Sequence, residues 1–176
     1  MHRLDRNLYV ALMMVVLALG TQKGAAQGRF ELVTGKEFEG AVPKDFYLEG
    51  NAIPTEKRNS TLLKTPSGSR ALVGLIDTSG YSSQIQKKYI GMLITEGELS
   101  INGQQVGVGS YGFGLEMPVA GSSGDGKLRV YNQAGAQVAE CAAAKDADLK
   151  QPRPLQVLLG KAGARLYIER YWVEIK

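Results

Sequence analysis

Histidine and cysteine are almost absent from this sequence. Its 176 residues contain one histidine, His2, and one cysteine, Cys141. A single cysteine excludes an intrachain disulfide. Once the segment that carries His2 is removed, as argued next, the chain has no imidazole. That excludes Ser-His-Asp and Cys-His catalytic sites and His-ligated zinc, copper or iron centres, so we expect no metal and no cofactor.

Long apolar runs are also scarce, and the one present lies at the N-terminus. Arg3 and Arg6 precede the apolar residues 8–19, and small residues precede Gln27. This order is typical of a secretory signal peptide cleaved before Gln27. A retained membrane anchor is the alternative, but the run is shorter than the ~20 apolar residues that a spanning helix needs. We therefore expect a signal peptide over 1–26 and one exported domain over 27–176, periplasmic or extracellular, with no membrane span after cleavage.

The chain has no strong excess of charge of either sign. Its 21 basic and 17 acidic residues give a net charge of +4, and removal of residues 1–26 lowers this to about +2. The basic pairs Lys57-Arg58 and Lys87-Lys88 are not interleaved with aromatic residues, as base stacking would require. We therefore expect no nucleic-acid partner.

Glycine is abundant, with 22 residues against six prolines, and strand patterns dominate. Residues 70–76 and 89–95 are apolar in both alternating phases, which predicts central strands covered on both sides. Asn102-Gly103 lies between two alternating runs and predicts a type I′ hairpin. Two more hairpins are predicted, with turns at 133–135 and 160–163. Residues 171–175 are predicted to form an edge or closing strand.

Two stretches fit this pattern less well. Residues 30–60 are irregular because Pro43 and Pro54 interrupt them. The alanine-rich residues 142–149 predict one short helix. The fold we expect is an all-β, single-domain antiparallel sandwich, jelly roll or small barrel of roughly seven to ten strands, with at most one short helix.

Residues 106–115 form the most unusual segment. Gly107, Gly109 and Gly112 have G-x-G-x-x-G spacing, but no helical pattern follows, so a strand is favoured over a dinucleotide loop. Its apolar phase changes at 109–110, which predicts a bulge. Glycine on a strand face indicates a close approach to the backbone at Gly107, Gly109, Gly112 and Gly114. An aromatic ring of this protein, a ligand or another chain could make that approach, so Tyr111 and Phe113 are candidate binding residues.

Two further aromatic residues are candidates for binding. Trp172 is predicted on the same strand face as Glu174 and Lys176, where an indole suits stacking on a sugar or anchoring a partner. The alternative is that a loop or the N-terminal segment covers the indole. Tyr81 lies in the hydroxyl-rich stretch 78–83, which is either a mobile binding loop or a solvated turn.

Residues 95–106, followed by the Gly-Ser-Tyr-Gly sequence at 109–112, resemble the strand-turn-strand of a cupin-type β-roll. The resemblance spans about 20 residues and implies a jelly roll. The metal-binding histidines of that family have no counterpart here, so the resemblance implies neither a metal nor an activity.

Cys141 lies among small residues. We interpret it as a buried, inert thiol, with an intermolecular bridge or a reactive thiol as the alternative.

Binding or interaction is favoured over catalysis. The first hypothesis is an exported, non-catalytic β-domain that binds a small molecule or glycan. The alternative is an envelope structural or interaction protein that acts through strand edges or the Gly-rich strand, as a homo-oligomer or on an envelope partner. The third is a histidine-free carboxylate enzyme such as a glycosidase, with Asp77, Glu96, Glu98 and Glu116 as candidate acids.

Overall fold

The computed structural model describes residues 28–119, 124–161 and 163–176. The signal peptide predicted over 1–26 lies outside the described residues.

The described residues form thirteen strands and two short helices, more strands and more helices than the sequence predicts. The strands are β1 Glu31–Val33, β2 Asp45–Leu48, β3 Asn51–Lys64, β4 Arg70–Ile76, β5 Gly91–Thr95, β6 Leu99–Ile101, β7 Gln104–Val106, β8 Gly109–Glu116, β9 Gly126–Asn132, β10 Gln137–Lys145, β11 Arg153–Leu159, β12 Ala164–Glu169 and β13 Tyr171–Ile175. The helices are α1 Gly35–Ala41 and α2 Ser83–Lys88.

The strands form one antiparallel sheet that curls into a nearly closed barrel. Its order is β1-β3-β4-β5-β8-β9-β10-β13-β12-β11, with β2 paired to β3 and the β6–β7 hairpin paired to β13. Most neighbours in the sheet follow one another along the chain, as in a barrel. Of the three architectures expected, the barrel is therefore the one observed. In the described residues the sandwich is not formed, nor is the jelly roll implied by the cupin resemblance. The last strand, β13, closes the sheet between β10 and β12 instead of forming an edge.

Two hydrophobic layers lie on opposite faces of β3, β4 and β5. Inside the barrel, Val73, Leu93 and Phe113 belong to one large buried cluster. Outside it, Leu72 and Met92 pack under α1, α2 and β2 in a second cluster. The two-sided burial predicted for residues 70–76 and 89–95 is therefore confirmed, because their alternating side chains enter different layers.

All three predicted hairpins are confirmed. Asn102 and Gly103 form the β6–β7 turn with φ of +44° and +84°, the values that favour Asn and Gly in a type I′ turn. Gly135 has φ of +86° in the β9–β10 turn, and β11 and β12 join through residues 160–163.

The predicted helix over 142–149 is wrong. β10 continues to Lys145 because Ala143 pairs with β9, and Ala144 and Lys145 pair with β13. Sheet pairing on both sides overrides the helix propensity of alanine. The observed helices lie instead at 35–41 and at 83–88, where Ser82 caps α2 by accepting from the Ile85 N–H.

Residues 30–60 are more regular than the sequence predicts. β3 runs through Pro54, which faces Asp45 of β2 at the start of the strand, before its pairing with β4 begins at Thr55. A proline is tolerated there because that part of the strand has one neighbour to satisfy. The predicted bulge at 109–110 is a two-residue break at Gly107 and Val108 between β7 and β8.

Candidate functional site

The four aromatic candidates from the sequence lie in three different places. Phe113 is 2% exposed inside the barrel, and Tyr111 packs half-buried against the same cluster. Tyr81 packs against the outer cluster, and its hydroxyl donates to the Ala52 carbonyl. Trp172 lies half-buried on the outer face of β13. The structure therefore brings Tyr111 and Phe113 together and leaves Trp172 and Tyr81 apart from them.

Parts of the protein itself approach the glycines of β8 and of the preceding break. A Cβ on Gly112 would lie 2.7 Å from Cδ1 of Tyr89, and one on Gly114 would overlap the Lys88 carbonyl oxygen. The Tyr111 ring lies over Gly109, and its hydroxyl donates to the Gly107 carbonyl at 3.0 Å. The close backbone contacts at these four glycines are therefore made within the fold.

Trp172 is flanked by polar side chains. The Arg165 guanidinium lies 4.0 Å from the centre of the indole ring, a cation–π distance. The Tyr167 ring lies 6.3 Å from the indole between ring centres, and its hydroxyl donates to Asp146 Oδ2 at 2.9 Å. Because Arg165 covers a face of the indole, a sugar ring would have to displace that guanidinium to stack there.

Three of the four carboxylates considered for glycosidase chemistry each have a separate partner. Glu96 pairs with Arg70, Glu116 with Arg129, and Asp77 accepts from Ser79. Arg70 lowers the pKa of Glu96, and Ser79 lowers that of Asp77. A general acid needs a raised pKa, so the two shifted groups are tuned in the wrong direction for that role.

A partly exposed polar cluster ties α2 to two turns. Glu49 Oε1 accepts from Lys88 Nζ at 2.5 Å and from the Tyr89 hydroxyl at 2.6 Å, and Lys88 also donates to the Gly135 carbonyl at 2.8 Å. The hydrogen bond from Lys88 has the largest effect in lowering the pKa of Glu49, followed by the bond from Tyr89. Burial and the bond to Glu49 raise the pKa of Tyr89. Tyr89 is fully buried, so the cluster has a structural role.

Cys141 is half-buried on β10 and packs against the interior cluster. Burial, followed by the nearby Glu140 charge, raises the pKa of its thiol. The thiol therefore stays protonated near neutral pH, which makes it a poor nucleophile.

A cleft that sequence reasoning missed lies at one end of the barrel, and we call it the mouth cleft. It encloses about 280 Å³ where β4, β8 and β12 end. Its floor is formed by apolar side chains, namely Leu75, Ile76, Ile90, Leu115, Met117 and Ile168. The β6–β7 hairpin, with Leu99, Ile101 and Val106 in the interior cluster, lies at the opposite end.

The rim of the mouth cleft is polar and carries negative charge. It consists of the polar residues Glu56, Thr78 and Glu169, together with Pro154. Other clefts have basic side chains in their walls, and several of these are paired within the fold: Arg70 with Glu96 beneath α1, and Arg129 with Glu116 beside α2. The mouth cleft combines an apolar floor with a few polar groups, the composition of small-molecule sites.

Other site types find no support in the described residues. Over residues 28–119, 124–161 and 163–176, no group of three or more His, Cys, Asp and Glu side chains is placed to hold a metal ion. Within the same residues, no helix is long and apolar enough to cross a membrane. No family model, no curated protein and no solved structure was found to match this chain.

Proposed function

We propose that this protein is an exported, non-catalytic binding module that holds a small apolar molecule in the mouth cleft of its barrel. The observation that supports the proposal is the half-buried floor of Leu75, Ile90 and Leu115, which leaves apolar surface uncovered where the barrel opens. A ligand that covers this surface gains about 25 cal/mol for each Å² of apolar area removed from water.

A small apolar ligand fits better than a glycan. The floor offers methyl and methylene groups, whereas sugar hydroxyls need hydrogen-bonding partners. The aromatic residue considered for sugar stacking, Trp172, has Arg165 against its ring.

The test is a titration of the protein with 1-octanol, followed by two-dimensional 1H–15N NMR. The wild type is expected to bind saturably, with the largest shifts at the strand ends around Leu115. Leu115→Trp fills the cleft and is expected to abolish the saturable shifts. Met117→Trp is a second blocking variant, and it should not disturb the core because Met117 is 43% exposed.

Two control variants make this test specific to the cleft. Val138→Trp places an indole on an exposed part of β10 away from the cleft and should leave binding intact. Trp172→Ala should also bind as the wild type does. Loss of binding in Trp172→Ala with retention in both blocking variants would contradict the cleft and favour the outer face of β13.

Assembly through a strand edge is the second candidate, and β11 favours it. β11 pairs with β12 on one side and lies beside β3 without pairing to it, while Leu158 and Leu159 stay 43% and 42% exposed. Unpaired, apolar strand edges promote association with a second copy. A concentration-independent monomer in sedimentation equilibrium would remove this candidate.

A further inference from the structure

The charge at the rim of the mouth cleft indicates which class of small molecule it takes. Glu56 and Glu169 line the cleft, and no lysine or arginine among the described residues does. Glu56 Oε2 accepts from the Asn59 side-chain amide at 2.6 Å, whereas Glu169 has no side-chain hydrogen bond or ion pair within the described part of the chain. Ionised carboxylates only accept hydrogen bonds. The described residues that line the cleft supply no positively charged donor to pair with them.

The neighbouring arginines do not neutralise Glu169. Arg170 follows it in the chain, but its Nη1 is directed at the carbonyls of Asp146, Ala147 and Leu149, at 3.5, 3.2 and 2.9 Å. Arg153 faces Glu169 in the β11–β12 register and makes no ion pair with it within the described residues. The Glu169 carboxylate is therefore left without a cationic partner.

The backbone of Glu169 lies in the tight β12–β13 turn, because Ile168 and Tyr171 on either side are paired. Its φ of +54° is a left-handed turn value like the φ of Glu49 and Asn102 in their turns, so it places the side chain at the end of the strand and is not itself evidence of a site.

We propose that the mouth cleft binds a small cationic amphiphile: an apolar chain on the floor and a protonated amine beside Glu56 and Glu169. This inference rests on the proposed function and specifies its ligand class. A volume of about 280 Å³ lies just below the ~300–1,000 Å³ of typical small-molecule clefts, so a short-chain amine suits its size.

The experiment compares three probes of equal chain length by NMR titration at neutral pH, each below its solubility limit and any micelle concentration. The probes are octylamine, 1-octanol and octanoate. Octylamine is expected to bind most tightly and octanoate most weakly. In Glu56→Gln/Glu169→Gln, the octylamine affinity should fall by about three- to tenfold while the octanol affinity stays unchanged, the size expected for exposed charge contacts.

Two further variants keep the result interpretable. Glu169→Gln alone spares the Glu56–Asn59 contact and should give part of the loss of octylamine affinity seen in the double variant. Glu98→Gln removes an exposed carboxylate at the far end of the barrel, beside β6, and should leave the affinities for all three probes unchanged.

The possible outcomes separate this inference from the function on which it rests. Equal affinity for octylamine and octanol, or an unchanged octylamine affinity in the double Gln variant, overturns the charge inference and leaves apolar binding standing. Failure of all three probes to bind overturns both. Tighter binding of octanoate also contradicts the proposed role of the rim carboxylates.

Discussion

At the scale of single residues, the glycines of β8 make room for α2. Gly112 and Gly114 point outward, opposite Phe113, and the end of α2 rests on them through Tyr89 and the Lys88 carbonyl. A side chain at either position would push the helix off the sheet. The sequence predicted a close approach at these glycines, but it could not distinguish a ring or helix of the same chain from a ligand, because all three need the same empty space.

Gly114→Ala should therefore destabilise the protein strongly. The new methyl group would overlap the Lys88 carbonyl oxygen, which is backbone and cannot rotate away. We expect the free energy of unfolding to fall by about 3 kcal/mol in urea denaturation. Gly40→Ala in α1 is the matched control, because nothing lies within 4 Å of its added Cβ; it should leave stability equal or raise it by about 0.5 kcal/mol. Equal stabilities of Gly114→Ala and wild type would show that α2 does not pack on β8 as described.

The charge on Glu49 should make stability depend on pH. Lys88 and then Tyr89 hold the pKa of Glu49 below its ordinary value of 4.5. A carboxylate whose pKa is lowered by folding stabilises the protein above the unfolded pKa, and this contribution is lost as pH falls through the folded pKa. Glu49→Gln keeps an acceptor for the Tyr89 hydroxyl but removes the charge opposite Lys88.

We expect Glu49→Gln to lower the free energy of unfolding by about 1 kcal/mol at pH 7, since both charged groups are partly exposed. The difference from the wild type should shrink as pH falls below the ordinary value of 4.5 and through the lowered pKa of the folded Glu49. Denaturant titrations at a series of pH values measure this difference, with the exposed Glu98→Gln as control. A difference that stays constant down to pH 2 would rule out the ionised Glu49–Lys88 pair as its source.

At the scale of elements, the β6–β7 hairpin is fixed by one turn residue. The Asn102 amide donates to the Ala142 carbonyl at 2.7 Å, and its oxygen accepts from the Glu174 N–H at 2.6 Å. Asn102 thus joins the hairpin to β10 and β13 in addition to forming the turn. The Asn-Gly pair predicts the turn because its geometry is local, whereas the two bonds depend on strands 40 and 72 residues away in the chain.

Asn102→Gly separates these two roles. Glycine fits the positive φ of +44° at this position, so the turn itself should be retained. Loss of both side-chain bonds should still lower the free energy of unfolding by about 2 kcal/mol. Thermal and urea unfolding provide the measurement, and wild-type stability in this variant would mean that the hairpin is held by its apolar side chains alone.

The elements predicted from the sequence are those specified by local pattern. Alternation in residues 70–76 and the turn residues of the three hairpins carry their own structural signal. The helix over 142–149 was wrong because alanine suits both a helix and a crowded sheet face, and the choice is made by β9 and β13. Ser82 is a local N-cap signal for α2, but the hydroxyl-rich stretch 78–83 to which it belongs predicts a loop or turn.

At the scale of the whole molecule, the mouth cleft is produced by closure of the barrel. Leu75, Ile90, Leu115 and Ile168 are far apart in the chain and meet because their strands begin or end at the same end of the sheet. No pattern in the sequence specifies this meeting, since it depends on the sheet order and on the return of β11–β13 to β10. Sequence reasoning therefore favoured the aromatic residues, most of whose rings the fold uses for its own packing.

The open side of the barrel lies beside the same cleft. β11 and β3 are adjacent but unpaired, and Pro154 of β11 and Glu56 of β3 both line the cleft. Separating these two strands would break no ladder of hydrogen bonds.

The most direct test of the account is a set of intermolecular NOEs between 1-octanol and the methyl groups of the protein. We expect cross-peaks from the octanol chain to Ile90, Leu115, Met117 and Ile168. Cross-peaks confined to Leu62, Leu72 and Ile94 beneath α1, or to residues around Trp172, would contradict the assignment of the mouth cleft as the binding site.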